Sequence, residues 1–171
     1  MDILISSNLE RLLFLLGGAK ETARCMAELS NTGKYTVSPE ILAKIKEVFA
    51  GYCCTEKETA AVINKTFNGR GYLADPHTSV GIGCAEKYVS ETGDNTVTVL
   101  ASTASPYKFA MDVCRSLGKD IEDTSPAAVL KTLESISGTK APEPLTKTLA
   151  RPVRFTDVVN PGDMADFIFG E

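Results

Sequence analysis

Three hydroxyl side chains, Ser102, Thr103 and Ser105, crowd the end of an apolar run in the stretch VTVLASTASPYKF, residues 97–109. A strand that only fills a core usually gives way to Gly, Asn or Asp in a turn. Here small donors and acceptors stand where the chain leaves the strand, and Pro106 suits the first turn of a following helix. In open α/β sheets ligands bind at the carboxyl ends of strands. The pattern therefore predicts a small molecule held beside Ser102 and Thr103.

A second cluster lies upstream, in ADPHTSVG. His77 is the single histidine of the chain, so any triad or histidine-based metal site must use it. Asp75, His77 and Thr78 sit together at a predicted helix start, where unpaired N–H groups and the helix dipole favour an anion. The alternative reading is structural: Asp75 as an N-cap and His77 as a hydrogen-bonded neighbour of the core. The Gly81-Ile82-Gly83 triplet falls inside that helix rather than between a strand and a helix, which excludes a dinucleotide loop. Metal binding is not expected. The five cysteines (Cys25, Cys53, Cys54, Cys84 and Cys114) lack ligand spacing and read as reduced thiols, mostly in the core.

The elements that must position these groups are mainly helices. Ser7 and Glu10 form a capping-box pattern ahead of Leu9, Leu12, Leu13 and Leu16, with Gly17-Gly18 as the stop. A second helix is expected from about Ala19 to Leu29. Ser38-Pro39 opens a third, and Thr55 with Glu58 opens a fourth that ends at Asn68-Gly69. Asp75-Pro76 starts one running to about Ser90. TVTVLA is the one segment read as a buried strand, followed by a helix from Pro106 to about Leu117. Further helices are predicted from Ser125-Pro126 to about Ser135, from Pro144 to Leu149 and from Pro161 to Phe167, with RPVRFTDVV extended. So many helices around one or two strands cannot close a sheet of their own.

Bulk properties narrow the partners. The chain has 171 residues, a net charge of −4 and a pI near 5.1. Phosphate-backbone binding needs clustered Lys and Arg, and no such run exists, so nucleic acid is excluded as a partner. No apolar run is long enough to span a bilayer, and no secretory leader pattern opens the chain. A cytoplasmic location without membrane partners is expected.

Taken together, MDILISSNLERLLF, GYLADPHTSVG and ASTASPYKF resemble threonine synthase, in the order and approximate spacing of the C-terminal part of that enzyme. The resemblance is clear over Met1 to Phe109 and looser beyond. It implies an α/β fold class: the C-terminal part of a pyridoxal phosphate (PLP) enzyme of fold type II, predominantly helical with few strands. It also implies that residues 1–138 belong to the PLP-binding large domain with a helical insertion, and that residues 139–171 form a tail packing on it.

The implied reaction converts O-phospho-L-homoserine and water to L-threonine and phosphate. The family's Schiff-base lysine motif and its glycine-rich phosphate loop are missing from this sequence. The chain is thus expected to need an N-terminal half of the same enzyme as partner, and to be inactive alone. By the same resemblance, Thr103, with Ser102 as second choice, is the hydroxyl that hydrogen-bonds the pyridine nitrogen of PLP. His77 and Thr78 line the same pocket from the other side, and Lys108 is a candidate for the substrate phosphate or a solvated lysine. Many family members carry histidine where Ser105 stands. Two alternatives remain: a different amino-acid β- or γ-replacement on the same fold, and a stand-alone small-ligand-binding or interaction module.

Overall fold

A computed structural model describes residues 5–170 of the chain. Met1 to Leu4, the first part of the MDILISSNLERLLF motif, lie outside the described residues.

Helix starts follow local chemistry. In α1 (Ser7–Thr32) the cap is Ser6, one residue before the expected Ser7, and its side chain accepts from the Leu9 N–H, so the Ser7–Glu10 box is not formed. Gly18, at φ 74° and ψ 177°, breaks the helical path, so the two helices expected on either side of Gly17-Gly18 are the two arms of one kinked element. A residue with a Cβ rarely adopts that φ, and glycine permits the bend. Ser38 caps α2 (Pro39–Val48), with Pro39 in the first turn. Leu13 and Cys25 of α1 bury against Ile41 of α2 to form one core.

A second core joins the elements that carry the sequence motifs. Thr55 and Glu58 make a complete capping box for α3 (Glu56–Arg70), which ends on Gly71 in the left-handed region. Asp75 caps α4 (Pro76–Thr92), and Gly93 ends it. Val62 of α3, Ala74 and Ile82 of α4 pack together. After a 3₁₀ turn over Pro106–Phe109 come α5 (Ala110–Ser116) and α6 (Pro126–Ser137). Ile63, Tyr107, Val113, Cys114, Val129 and Leu133 are buried as one cluster between α3, α5 and α6. Helix α7 (Glu143–Leu149) leans on α6, where the Ala141 N–H reaches Glu134. Among the described residues, none from 142 onward is buried, including those of α8 (Met164–Phe169).

The expected α/β character is not present in this chain by itself: among the described residues there is no β-strand. TVTVLA is extended but neither paired nor buried, and Val97 and Val99 are each 88% exposed. A strand exists only through its ladder, and no other described segment supplies one. The pleat survives. Thr98, Leu100 and Ser102, two residues apart, all line a cavity beside α4, while Val97 and Val99 are open to solvent.

Candidate functional site

Asp75 organises the N-terminus of α4 from a position only 1% exposed. Its Oδ1 accepts from the His77 N–H at 2.9 Å and the Thr78 N–H at 3.2 Å, and its Oδ2 accepts a short hydrogen bond from the Thr78 hydroxyl. Both readings of Asp75 that the sequence allowed concern one carboxylate, and the capping geometry is the one formed. A carboxylate is the favoured charge at this end of a helix.

The Thr78 hydroxyl also lies 2.9 Å from the Ser102 hydroxyl, which is 3.4 Å from the Tyr72 hydroxyl. A carboxylate only accepts, so the Thr78 proton points to Asp75. Ser102 must then donate to Thr78, and Tyr72 to Ser102. The line of hydroxyls is polarised from Tyr72 through Ser102 and Thr78 toward Asp75. Among the described residues the neighbouring Thr103 hydroxyl has no partner, so its proton remains available.

Tyr72, Thr78 and Ser102 all line a cavity of about 630 Å³. Ile82, Val89 and Leu100 supply apolar walls, and Arg70 and Glu86 are its charged lining residues. This size and composition, mostly apolar with a few convergent polar groups, suit a ring-bearing small molecule. The protons of Tyr72, Ser102 and Thr78 are committed to one another and to Asp75, so Thr103, exposed beside the cavity, is the hydroxyl whose free proton fits the neutral ring nitrogen of a pyridine-type cofactor.

The structure divides the sequence-predicted set. Thr78 and Ser102 meet in this cavity, and Thr103 is exposed beside them. His77, one residue along the helix from Thr78, faces another cleft of about 530 Å³, lined also by Asp112 and Arg115. Its ring meets Phe109 edge-on at 5.1 Å between centroids, and the Lys108 ammonium lies 5.4 Å from the same Phe109 ring. His77 and Lys108 therefore gather around Phe109. Ser105 caps the 3₁₀ turn by accepting from the Tyr107 N–H. Sequence reasoning did not single out Tyr72 or Arg70. Tyr72 stands next to the ADPHT motif, and that adjacency was the available signal; Arg70 carried none.

Residues 78–168 match the family described as "Threonine synthase, C-terminal". Threonine synthase of Schizosaccharomyces pombe is 35% identical over 64% of this chain and 24% of its own length. Threonine synthase-like 1 of Homo sapiens is 35% identical over 73% of this chain and 17% of its own length. The crystal structure of PLP-bound threonine synthase from Brucella melitensis is 33% identical, with a TM-score of 0.57, over 78% of this chain and 28% of that one. The chain thus spans about a quarter or less of the length of these curated relatives.

Proposed function

The chain belongs to the threonine synthase family, and on that premise we propose that it is the C-terminal portion of a PLP-dependent threonine synthase converting O-phospho-L-homoserine and water to L-threonine and phosphate. One observation carries the reading: the Thr78–Ser102 contact brings the DPHT and STAS motifs together in the lining of a ring-sized cavity.

PLP, when bound, supplies the electron sink that such a replacement requires. The chain's own residues set its surroundings. Thr103, whose proton is uncommitted, donates to the ring nitrogen. Ser102 fixes the backbone turn through its bond to Thr78 rather than serving as that donor. Asp75 holds Thr78 and the start of α4 in place, and the apolar walls exclude water from the ring face. A neutral donor such as Thr103 would favour an unprotonated ring nitrogen in a bound PLP, where a carboxylate would favour the pyridinium form. His77 and Lys108, around Phe109, form a second polar group suited to positioning an anionic substrate.

In this proposal residues 1–138 belong to the cofactor-binding domain and 139–171 to a tail on it. The lysine that anchors PLP and the loop that holds its phosphate come from an N-terminal portion of the enzyme, without which the chain is inactive. The test uses a hybrid in which this chain replaces the matching C-terminal segment of the Pseudomonas aeruginosa threonine synthase, a relative 32% identical over 64% of this chain. Thr103→Val should weaken PLP binding roughly five- to tenfold, the equivalent of one hydrogen bond of about 1 kcal/mol, with Thr103→Ser close to the parent. Equal PLP affinity in all three would remove Thr103 from this role.

A further inference from the structure

Arg70 and Thr66 line the cavity of Thr78 and Ser102 from its α3 side. They are four residues apart on that helix, so their side chains share one face, about 5–6 Å between Cβ atoms. Arg70 is the one cation of the lining, and among the described residues it has no ion pair or hydrogen bond. Glu86, the one acidic group of the lining, is already met: the Lys65 ammonium lies 2.9 Å from both of its carboxylate oxygens. The lining thus carries an uncompensated positive charge.

Thr66 supplies an independent observation. It is only 6% exposed, yet its hydroxyl has no hydrogen-bond partner among the described residues. Thr59, buried two turns earlier on the same helix, donates to the Thr55 carbonyl oxygen at 3.0 Å, the ordinary resort of a helical threonine. Among the described residues no unpartnered side-chain polar atom is sealed from solvent, so the Thr66 hydroxyl opens into the cavity that the residue lines. A cation in the last turn of α3 also suits the helix dipole. That accounts for Arg70 alone, and not for a buried hydroxyl left open one turn before it.

We propose that Arg70 and Thr66 are the oxyanion-recognition point for the ligand held in this cavity, taking its carboxylate or its phosphoryl group. The guanidinium presents a fork of donors that matches two oxygens of either group, and the Thr66 hydroxyl donates to one of them. Apolar walls at Ile82, Val89 and Leu100 strengthen such a pair by keeping water from it. The inference rests on the proposed reaction, whose substrate carries both a carboxylate and a phosphoryl group. His77 lines the other cleft, with Lys108 near it around Phe109, and these two are left for the second group.

The experiment titrates the full chain with inorganic phosphate and, separately, with L-threonine, and reads ligand line broadening by NMR. Arg70→Ala should weaken binding of one of them roughly 10- to 100-fold, the range for a hydrogen bond to a charged group. Loss of phosphate assigns the pair to the phosphoryl group, and loss of threonine assigns it to the carboxylate. Arg70→Lys, which keeps the charge without the fork, should fall in between. Thr66→Val should weaken the same ligand roughly five- to tenfold. Its melt should stay with the parent, because the hydroxyl has no partner within the protein to lose. In the Pseudomonas aeruginosa hybrid both Arg70→Ala and Thr66→Val should raise KM for O-phospho-L-homoserine. Unchanged binding of both ligands in Arg70→Ala, or a parent chain that binds neither, would overturn the proposal. A hybrid without turnover contradicts the assigned reaction instead, and the titrations, which need no chemistry, still decide for or against the site.

Discussion

Replacing Asp75 tests the physical centre of the site. The carboxylate is 1% exposed and accepts three hydrogen bonds, from two backbone N–H groups and the Thr78 hydroxyl. Asp75→Ala removes an N-cap, which costs about 1 kcal/mol. It also leaves the buried Thr78 hydroxyl without its acceptor, which costs roughly 1–3 kcal/mol more. A combined loss of about 3 kcal/mol corresponds to a fall in Tm of roughly 6–12 °C for a chain of this size. Asp75→Asn keeps one oxygen for the two N–H groups and exchanges charged for neutral bonds, so about 1 kcal/mol is expected. Far-UV circular dichroism melts supply the stabilities, and hydrogen exchange at the His77 and Thr78 amides reports the cap itself. A double-mutant cycle with Thr78→Val should return a coupling of about 1.5–3 kcal/mol. If Asp75→Ala melts within roughly 2 °C of the parent, taking less than about 1 kcal/mol from stability, the claim that this carboxylate organises α4 fails.

Glu58 governs a pH response. Lys87, together with the Thr55 N–H and hydroxyl, holds its carboxyl down to about 2 from the ordinary 4.5. Because the folded value lies below the unfolded one, the stabilisation is complete above pH 4.5 and is lost as pH falls toward 2. Urea midpoints measured across that window should decline in the parent and show a shallower slope in Glu58→Gln; parallel slopes would contradict this. Gly83→Ala should displace Cys54 from α4, because the new methyl meets its sulfur at 2.7 Å. A loss of about 1–3 kcal/mol is expected from overpacking, with faster reaction of Cys54 toward a thiol reagent. Leu133, fully buried between α5 and α6, should cost about 2–5 kcal/mol when cut to alanine. A chemical melt within about 0.5 kcal/mol of the parent, the range of ordinary surface substitutions, would show that this cluster is not the core.

Local signals in the sequence translated well where the physics is local. Ser38-Pro39, the Thr55–Glu58 box and Asp75-Pro76 open helices as expected, because a cap is decided within four residues. With two serines adjacent, the Glu10 pattern pointed to Ser7 while the backbone chose Ser6. The helix expected from Pro106 begins as a 3₁₀ turn before α5. The TVTVLA strand failed for a different reason. Its apolar alternation describes a surface to be covered, and no described segment of this chain pairs with it. That Val97 and Val99 lie bare agrees with a chain that spans only part of its relatives.

The site was legible as two motifs, not as a geometry. DPHT and STAS each announced polar groups at an element end, but the meeting of Thr78 and Ser102, 24 residues apart, is a tertiary fact. So is the turning of His77 away toward Phe109, since adjacent helical residues point about 100° apart. Tyr72 and Arg70 enter the cavity through the same tertiary packing.

The most direct test of the account is phosphate release from O-phospho-L-homoserine, measured with PLP for the chain alone and for the Pseudomonas aeruginosa hybrid that carries it. The account predicts PLP-dependent phosphate and threonine in equal amounts from the hybrid, and none from the chain alone. A folded, PLP-binding hybrid that releases no phosphate, while the unaltered relative does, would contradict it. So would a chain that melts cooperatively by itself and binds a small ligand without PLP; that outcome would mark a stand-alone binding module.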